Sequence, residues 1–334
     1  MQKNKILITG VCGFIGYHLS KRFLDNGFEV IGIDNLRKTY NHNFKKKRLQ
    51  ILNKLKNFKF LKVDLDKISK IGNISFDLIV HLAGEAGVRE SIKKPNFYIK
   101  ENLQNTVNVF EYAKKNKIKN IFYASSSSVY GNCNIYPSKE TMVINKPLSV
   151  YGLSKSSCEL LAYYYNSIFN INSIGLRFFT VYGPWGRPDM APMIFTKAII
   201  EKTKIKIFNH GDMQRDFTFI DDIVEGIFRC CFKKPQIAHS KSNIASGEKD
   251  FSAPHQIFNI GNSRPVELLD FIQLLEQNIG TKAIKNFIEI QSGDVIKTYA
   301  NTQKLNSWID YSPSTSIDKG VELFIKWYKD YYKY

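Results

Sequence analysis

The residues Thr9-Gly10-Val11-Cys12-Gly13-Phe14-Ile15-Gly16 constrain this chain more than any other feature. They follow a short apolar run, Lys5–Thr9, and open a stretch, Phe14–Asn26, whose apolar residues recur at helical spacing. In a strand–turn–helix unit, Gly10 makes the tight turn, Gly13 lets the backbone approach a pyrophosphate, and Gly16 allows close packing of helix on strand. The start of the helix then points unpaired N–H groups at the anion. A second strand-like run, Glu29–Ile33, is followed at once by Asp34, where a carboxylate can accept from a ribose 2′-hydroxyl. Asp34 therefore favours NAD over NADP, whose 2′-phosphate it would repel, although Arg37 and Lys38 lie close by as cations able to take such a phosphate.

The rhythm continues beyond that unit. Phe58–Val63, Leu78–Ala83, Asn120–Ala124 and Ser173–Arg177 read as strands, with helices at Phe97–Lys115 and Val150–Asn170. Alternation of this kind predicts an α/β fold, a Rossmann-type doubly wound parallel sheet with ligands at the carboxyl ends of its strands. After Arg177 the pattern breaks into a stretch punctuated by Pro184, Gly186, Pro188 and Pro192, then a helix near Ile194–Lys202. Phe217–Ile220 reads as a strand and Asp222–Phe232 as a helix returning to the first lobe; Gln256–Ile260, Glu267–Ile279, Phe287–Ile290 and a terminal helix complete the chain. The expected division is a dinucleotide domain at 1–178 and 215–235, a smaller, discontinuous α+β substrate domain at 179–214 and 256–334, and a surface loop at 236–255.

Composition removes several function classes. No apolar run approaches the roughly 18 residues of a spanning helix, and the first strand begins too early to leave room for a signal peptide. The 5 cysteines form no CxxC pair and the 6 histidines no ligand spacing, so no metal and no disulfide framework is expected, and a reducing cytoplasm fits. The formal charge of +18 raises nucleic acid as a partner, but the lysines are dispersed along the chain. The densest run, Lys45 to Arg48, reads as a solvated helix face. A basic average suits an anionic small substrate, by raising its local concentration.

The candidate chemistry lies in Tyr151-Gly152-Leu153-Ser154-Lys155, where a helix start puts Tyr151 and Lys155 on one face, a turn apart. A phenol is a poor base at neutral pH, and an ammonium beside it stabilises the phenolate. The run Ser125–Ser128 ends a strand whose carboxyl end faces the same cleft, so one of its hydroxyls can bond the reacting oxygen and share a proton with Tyr151. Asp64, just past the third strand, stands either at the adenine edge or as a helix N-cap.

The combination TGxxGFIG, an acid after the second strand, SSSxVYG and YxxxK resembles the extended short-chain dehydrogenase/reductase (NAD-dependent epimerase/dehydratase) family of sugar-nucleotide enzymes. Longer stretches resemble its UDP-glucuronate 4-epimerases: AGVRES from Ala86, YASSSSVYG from Tyr123, GLRFFTVYGPWGRPDM from Gly175, Asn209 to Ile223, and NIGNSRPVEL from Asn259. The resemblance covers nearly the whole chain. It implies NAD held by Gly10, Gly13, Phe14, Ile15, Gly16, Asp34, Asn35, Asp64, Leu65, Leu82, Ala83, Asn102, Ser125, Tyr151 and Lys155. It implies Ser126 as the hydroxyl partner, Tyr151 as base and Lys155 as its electrostatic support. Arg89, Arg187 and Arg215 would meet the UDP diphosphate or sugar end, Asp294 the uridine ribose, and Ser127, Ser128 and Thr180 the sugar. It also implies a homodimer built on the helices Phe97–Lys115 and Val150–Asn170. Gly84, Glu85, Asn105 and Asn301 depart from the pattern, which has alanine, glutamine, glycine and aspartate there. Glu85 would repel an anionic substrate unless it points away or pairs with Arg89.

Relatives on this scaffold share a first step: oxidation at C4 to a 4-keto sugar. Dehydratases then use an Asp-Glu pair after the catalytic hydroxyl, and decarboxylases a glutamate where Ser128 stands; here Ser127 and Ser128 occupy both positions. Without a carboxylate there, the resemblance implies epimerisation at C4, converting UDP-glucuronate to UDP-galacturonate. Alternatives are a 4-epimerase of another UDP-sugar (UDP-glucose/galactose or an N-acetylated uronate) and a UDP-glucuronate decarboxylase.

Overall fold

The structure is a computed structural model, and it describes residues 4–37, 42–233 and 255–334. Among the described residues twelve strands are formed: β1 Lys5–Thr9, β2 Glu29–Asp34, β3 Phe58–Lys62, β4 Leu78–His81, β5 Asn120–Ser126, β6 Asn172–Phe178, β7 Thr180–Tyr182, β8 Lys204–Phe208, β9 Gln214–Phe219, β10 His255–Ile260, β11 Pro265–Glu267 and β12 Ile284–Ile288. Seven make one parallel sheet in the order β10-β6-β5-β4-β1-β2-β3. Chain order reverses between β1 and β4, and at such a switch point the loops part to leave a crevice at the carboxyl ends. The expected doubly wound sheet is present.

Its strands are covered on both faces, which explains why they read as nearly unbroken apolar runs. Ile6, Ile8 and Val80 pack to one side with Leu19, Phe23 and Ile223, while Leu7, Ile31 and Ile79 pack to the other with Val109, Phe110 and Tyr165. Successive side chains of a strand point to opposite faces, so β1 alone contributes to both cores.

The remaining strands form two small sheets, β11-β9-β7 and the parallel pair β12-β8. Two features of the expected division need correction. The strand at 256–260, assigned to the second lobe, is β10 and extends the main sheet beside β6. The strand at 217–220, assigned to the first lobe, is β9 and pairs instead with β7 and β11. A local apolar pattern does not specify a partner strand, so only pairing across the chain assigns these segments. Of the surface loop expected at 236–255, His255 is the first residue of β10 and the rest lies outside the described residues.

The helix expected at Phe97–Lys115 is also modified. An α-turn at Pro95–Tyr98 passes into a π-turn at Ile99–Gln104 before the α-helix Asn105–Lys115. π-turns inside helices occur mostly at functional sites; this one places Glu101 on the wall of the crevice and buries Asn102 behind it. Among the described residues no helix is long and apolar enough to cross a membrane, and no group of His, Cys, Asp and Glu is arranged to hold a metal ion.

Candidate active site

Two chambers open at the carboxyl ends of the strands, of ≈ 420 Å³ and ≈ 920 Å³. They share Ala86–Val88, Ser127, Ser128, Phe179, Thr180, Arg187 and Met190 as a common wall. The smaller chamber is the cleft lined by the glycine turn and Asp34, where a dinucleotide is expected. Gly10 has φ +71, and a Cβ there would lie 2.7 Å from the amide nitrogen of Ala83; at Gly16 it would lie 2.3 Å from the carbonyl oxygen of Gly10. The turn closes only with glycine at these positions, and Phe14 and Ile15 then begin the helix Phe14–Asp25 with its N-terminus at the cleft.

Asp34 is buried, one oxygen accepting from the amide of Leu36 at 2.7 Å and the other from that of Cys12 at 3.2 Å. The carboxylate is thus held in place with lone pairs left for a ribose hydroxyl. Arg37, one cation that raised the prospect of NADP, is instead bound to Glu101 at 2.6 Å and Asp64 at 3.4 Å; Lys38 lies outside the described residues. Asp64 occupies an N-cap position without capping: its carboxylate accepts from Asn35 at 3.0 Å at the cleft wall. Leu65, Leu82 and Ala83 line the same cleft. These residues fit a dinucleotide carrying two free ribose hydroxyls at its adenosine end.

Asn102 is a correction. It does not face the cleft; it is buried, and its amide grips the backbone of Glu85 on both sides, accepting from N–H at 2.8 Å and donating to C=O at 3.0 Å, with a further bond to Ser154 at 2.9 Å. The π-turn directs it inward, making it a strut for the loop 84–87. Glu85 itself lines the cleft and is not paired with Arg89. Burial pushes its carboxyl up, opposed by Lys45 and Arg187.

The helix Val150–Phe169, which carries Tyr151 and Lys155, begins at Ser149, whose hydroxyl accepts from the amide of Gly152 at 3.0 Å. A Cβ on Gly152 would lie 2.6 Å from the carbonyl oxygen of Ser128, so glycine permits the helix start to press against the serine run. Tyr151 and Lys155 both line the cleft, and Lys155 donates to the carbonyl of Ala124 at 2.9 Å. Ser126 accepts from the amide of Ser128 at 3.1 Å, which leaves its own hydroxyl proton to donate. Ser125 turns the other way, its hydroxyl donating to Glu159, so it offers the cofactor only its backbone.

Sequence reasoning missed the support beneath these groups. Glu159 sits one turn beyond Lys155 and forms a two-pronged pair with Arg177 of β6, at 2.9 and 2.7 Å, with both residues buried. Arg177 in turn donates to the hydroxyl of Tyr130 at 3.0 Å, and Tyr130 donates to Asn259 at 2.6 Å. Two signals were legible: the spacing Tyr151, Lys155, Glu159 on one helix face, and an arginine inside an otherwise apolar strand. On the far side of Lys155, the two ring nitrogens of His81 hydrogen-bond the hydroxyls of Thr9 at 2.7 Å and Thr106 at 3.1 Å. Burial, with the charge of Lys155, pushes His81 down to about 3 and keeps it neutral.

The larger chamber gathers the expected basic residues. Arg89 pairs with Asp294 at 2.6 Å and lies over the ring of Phe208 at 4.0 Å. Arg187 pairs with Asp189 at 2.6 Å and donates to the carbonyl of Ala86 at 3.1 Å. Arg215 is held by the carbonyls of Gln214 and Ile296, and burial pushes its guanidinium down. Thr180, at the start of β7, lies with Ser127 and Ser128 at the junction of the chambers.

Within the run Lys45 to Arg48, Lys46 and Lys47 are exposed as expected, whereas Lys45 and Arg48 are a correction. Lys45 lines the cleft 3.7 Å from Asp34, Lys47 lies 4.3 Å over the ring of Tyr331, and Arg48 is fully buried. Lys45 and Arg48, three apart, share the inward face of the helix His42–Leu52, and their long stems carry the charges to polar partners.

A glycine-cradled dinucleotide cleft, with serine, tyrosine and lysine at its inner end beside a basic chamber, defines an enzyme that moves hydride between a nicotinamide and a bound substrate. In agreement, residues 6–245 match the NAD dependent epimerase/dehydratase family, and the chain belongs to that family, with NAD as cofactor. It is 45% identical over 334 residues to Protein CapI of Staphylococcus aureus, covering 98% of this chain and 99% of the relative. To a probable UDP-glucuronate 4-epimerase of Rhizobium meliloti it is 37% identical, with 98% of each covered. It superposes with a TM-score of 0.88, at 33% identity over 98% of this chain and 100% of the other, on a UDP-glucuronic acid 4-epimerase from Bacillus cereus. That enzyme was crystallised as a tyrosine-to-phenylalanine variant with NAD and a fluorinated UDP-glucuronic acid.

Proposed function

We propose that the protein is a UDP-glucuronate 4-epimerase, forming UDP-galacturonate through a transient 4-keto sugar. The observation that carries this reading is the ring of hydroxyls, Ser127, Ser128 and Thr180, on the wall common to both chambers, with no carboxylate between Ser126 and Val129. NAD supplies the reversible hydride acceptor. Tyr151 takes the 4-hydroxyl proton and returns it; Lys155, one turn away, stabilises the phenolate, and Ser126 donates to the reacting oxygen. Arg89, Arg187 and Arg215 neutralise the diphosphate, Arg being suited to it by its planar fork, and Asp294 accepts from the uridine ribose. Return of hydride to the other face of the rotated keto sugar inverts C4.

The three hydroxyls serve a second purpose. A 4-keto uronate is a β-keto acid, which loses CO₂ when its carboxylate turns perpendicular to the carbonyl. Donors that hold the carboxylate near the ring plane suppress that loss without supplying a base. NMR of UDP-glucuronate incubated with the protein tests the whole reading: a new species with an axial 4-hydroxyl is expected. Turnover of UDP-glucose alone, or release of UDP-pentose at a comparable rate, would replace it with one of the alternatives.

The active unit in this reading is a homodimer. Leu160, Tyr164 and Ile168 project from the outer face of the catalytic helix with 72%, 50% and 60% of their surface exposed, an apolar stripe suited to a second copy. Sedimentation at twice the mass of the chain is expected.

A further inference from the structure

Arg48 is the largest fully buried side chain among the described residues, with 0% of its surface exposed. A guanidinium is taken out of water only where it makes several hydrogen bonds. One arm donates at 2.9 Å to the carbonyl of Cys12, in the glycine loop of the dinucleotide cleft. The other donates to the carbonyl of Trp185, two residues before Arg187. Trp185 has a left-handed backbone, φ +61, a conformation that a non-glycine residue adopts only where its surroundings impose it. Here His18 bonds the neighbouring carbonyl of Pro184 at 2.9 Å, and the indole packs against Tyr17, Phe44 and Tyr331.

We propose that Arg48 is a positioning residue that ties the cofactor loop to the substrate loop. By fixing the Cys12 carbonyl, it holds the helix start at Phe14 and Ile15 against the cleft where the pyrophosphate would lie; by fixing the Trp185 carbonyl, it sets the height at which Arg187 enters the wall shared by the two chambers. One side chain then couples retention of NAD to binding of the sugar-nucleotide phosphates. The inference rests on the epimerase reading only for the identity of the second ligand.

Arg48→Lys keeps the charge but cannot reach both carbonyls. For this variant we expect weaker UDP binding by calorimetry, about tenfold, the loss of one charge-assisted hydrogen bond. A reduced NAD content after purification is expected alongside. A merely structural role would lower thermal stability without moving these two together. It would also make the effects of Arg48→Lys and Arg187→Ala on UDP affinity additive, whereas the tether requires the double variant to bind no more weakly than Arg187→Ala alone. Additivity, or unchanged UDP affinity with full NAD content, overturns the proposal. Should Arg48→Lys fail to fold, hydrogen exchange on the wild type decides: UDP must slow exchange in residues 10–13 as well as 183–190, and protection confined to the latter refutes the coupling. Failure of the wild type to bind UDP would count against the epimerase reading, while the NAD content of Arg48→Lys would still decide the tether.

Discussion

Replacing Glu159 by glutamine removes one charge from a pair whose members are 5% and 3% exposed. Arg177 would then be left buried with an amide nitrogen near its donors, keeping only Tyr130 at 3.0 Å and the carbonyl of Glu140 at 3.5 Å as further acceptors. Stranding one member of a buried ion pair costs about 3–5 kcal/mol. For a chain of 334 residues the unfolding entropy is roughly 0.7 kcal/mol/K, so the melting temperature falls by roughly 4–7 °C. Differential scanning calorimetry of the NAD-loaded protein measures the shift. The double variant Glu159→Leu/Arg177→Met removes both charges and should recover most of the loss, because the cost lies in the unpaired guanidinium rather than in the missing attraction. A single variant that melts with the wild type, or a double variant no more stable than the single, would refute this account of the site's foundation.

Tyr151→Phe should lower turnover of UDP-glucuronate by about 10²–10⁴ while leaving NAD bound, as read by NMR rates and by NAD released on denaturation; full activity would exclude Tyr151 as the base. Gly16→Ala places a methyl 2.3 Å from the carbonyl oxygen of Gly10, so the variant should purify with little NAD. A full complement of cofactor would show that the turn has room to give. His81 is held neutral well below its ordinary value of 6.5, so its contribution to stability is complete above that pH and is lost as pH falls from there towards about 3. His81→Gln should therefore gain on the wild type by about 1 kcal/mol between about pH 6.5 and 5.5, followed by urea unfolding at each pH; a difference independent of pH would show that His81 does not resist protonation.

Much of this molecule is legible in one dimension because its chemistry is local. A glycine turn, the carboxylate after the next strand, and a tyrosine and lysine one turn apart each depend on neighbours within a few residues, so spacing alone reveals them. The same holds for the alternation of strand and helix, whose periods of two and 3.6 are properties of the backbone. What spacing does not contain is which distant groups meet. Asn102 was expected at the cofactor, yet a π-turn directs it onto Glu85; Lys45 and Arg48 were expected in solvent, yet the helix carrying them lies against Asp34 and Trp185.

Fold class and the glycine turn were readable from the chain alone, and Ser126, Tyr151 and Lys155 stood out there as candidates, since backbone geometry and short-range motifs are local. Only tertiary structure decided that β10 joins the main sheet while β9 leaves it, and that Glu159–Arg177 and Arg48 brace the site from beneath. A buried charge finds its partner across the fold, and burial depends on every element packed around it.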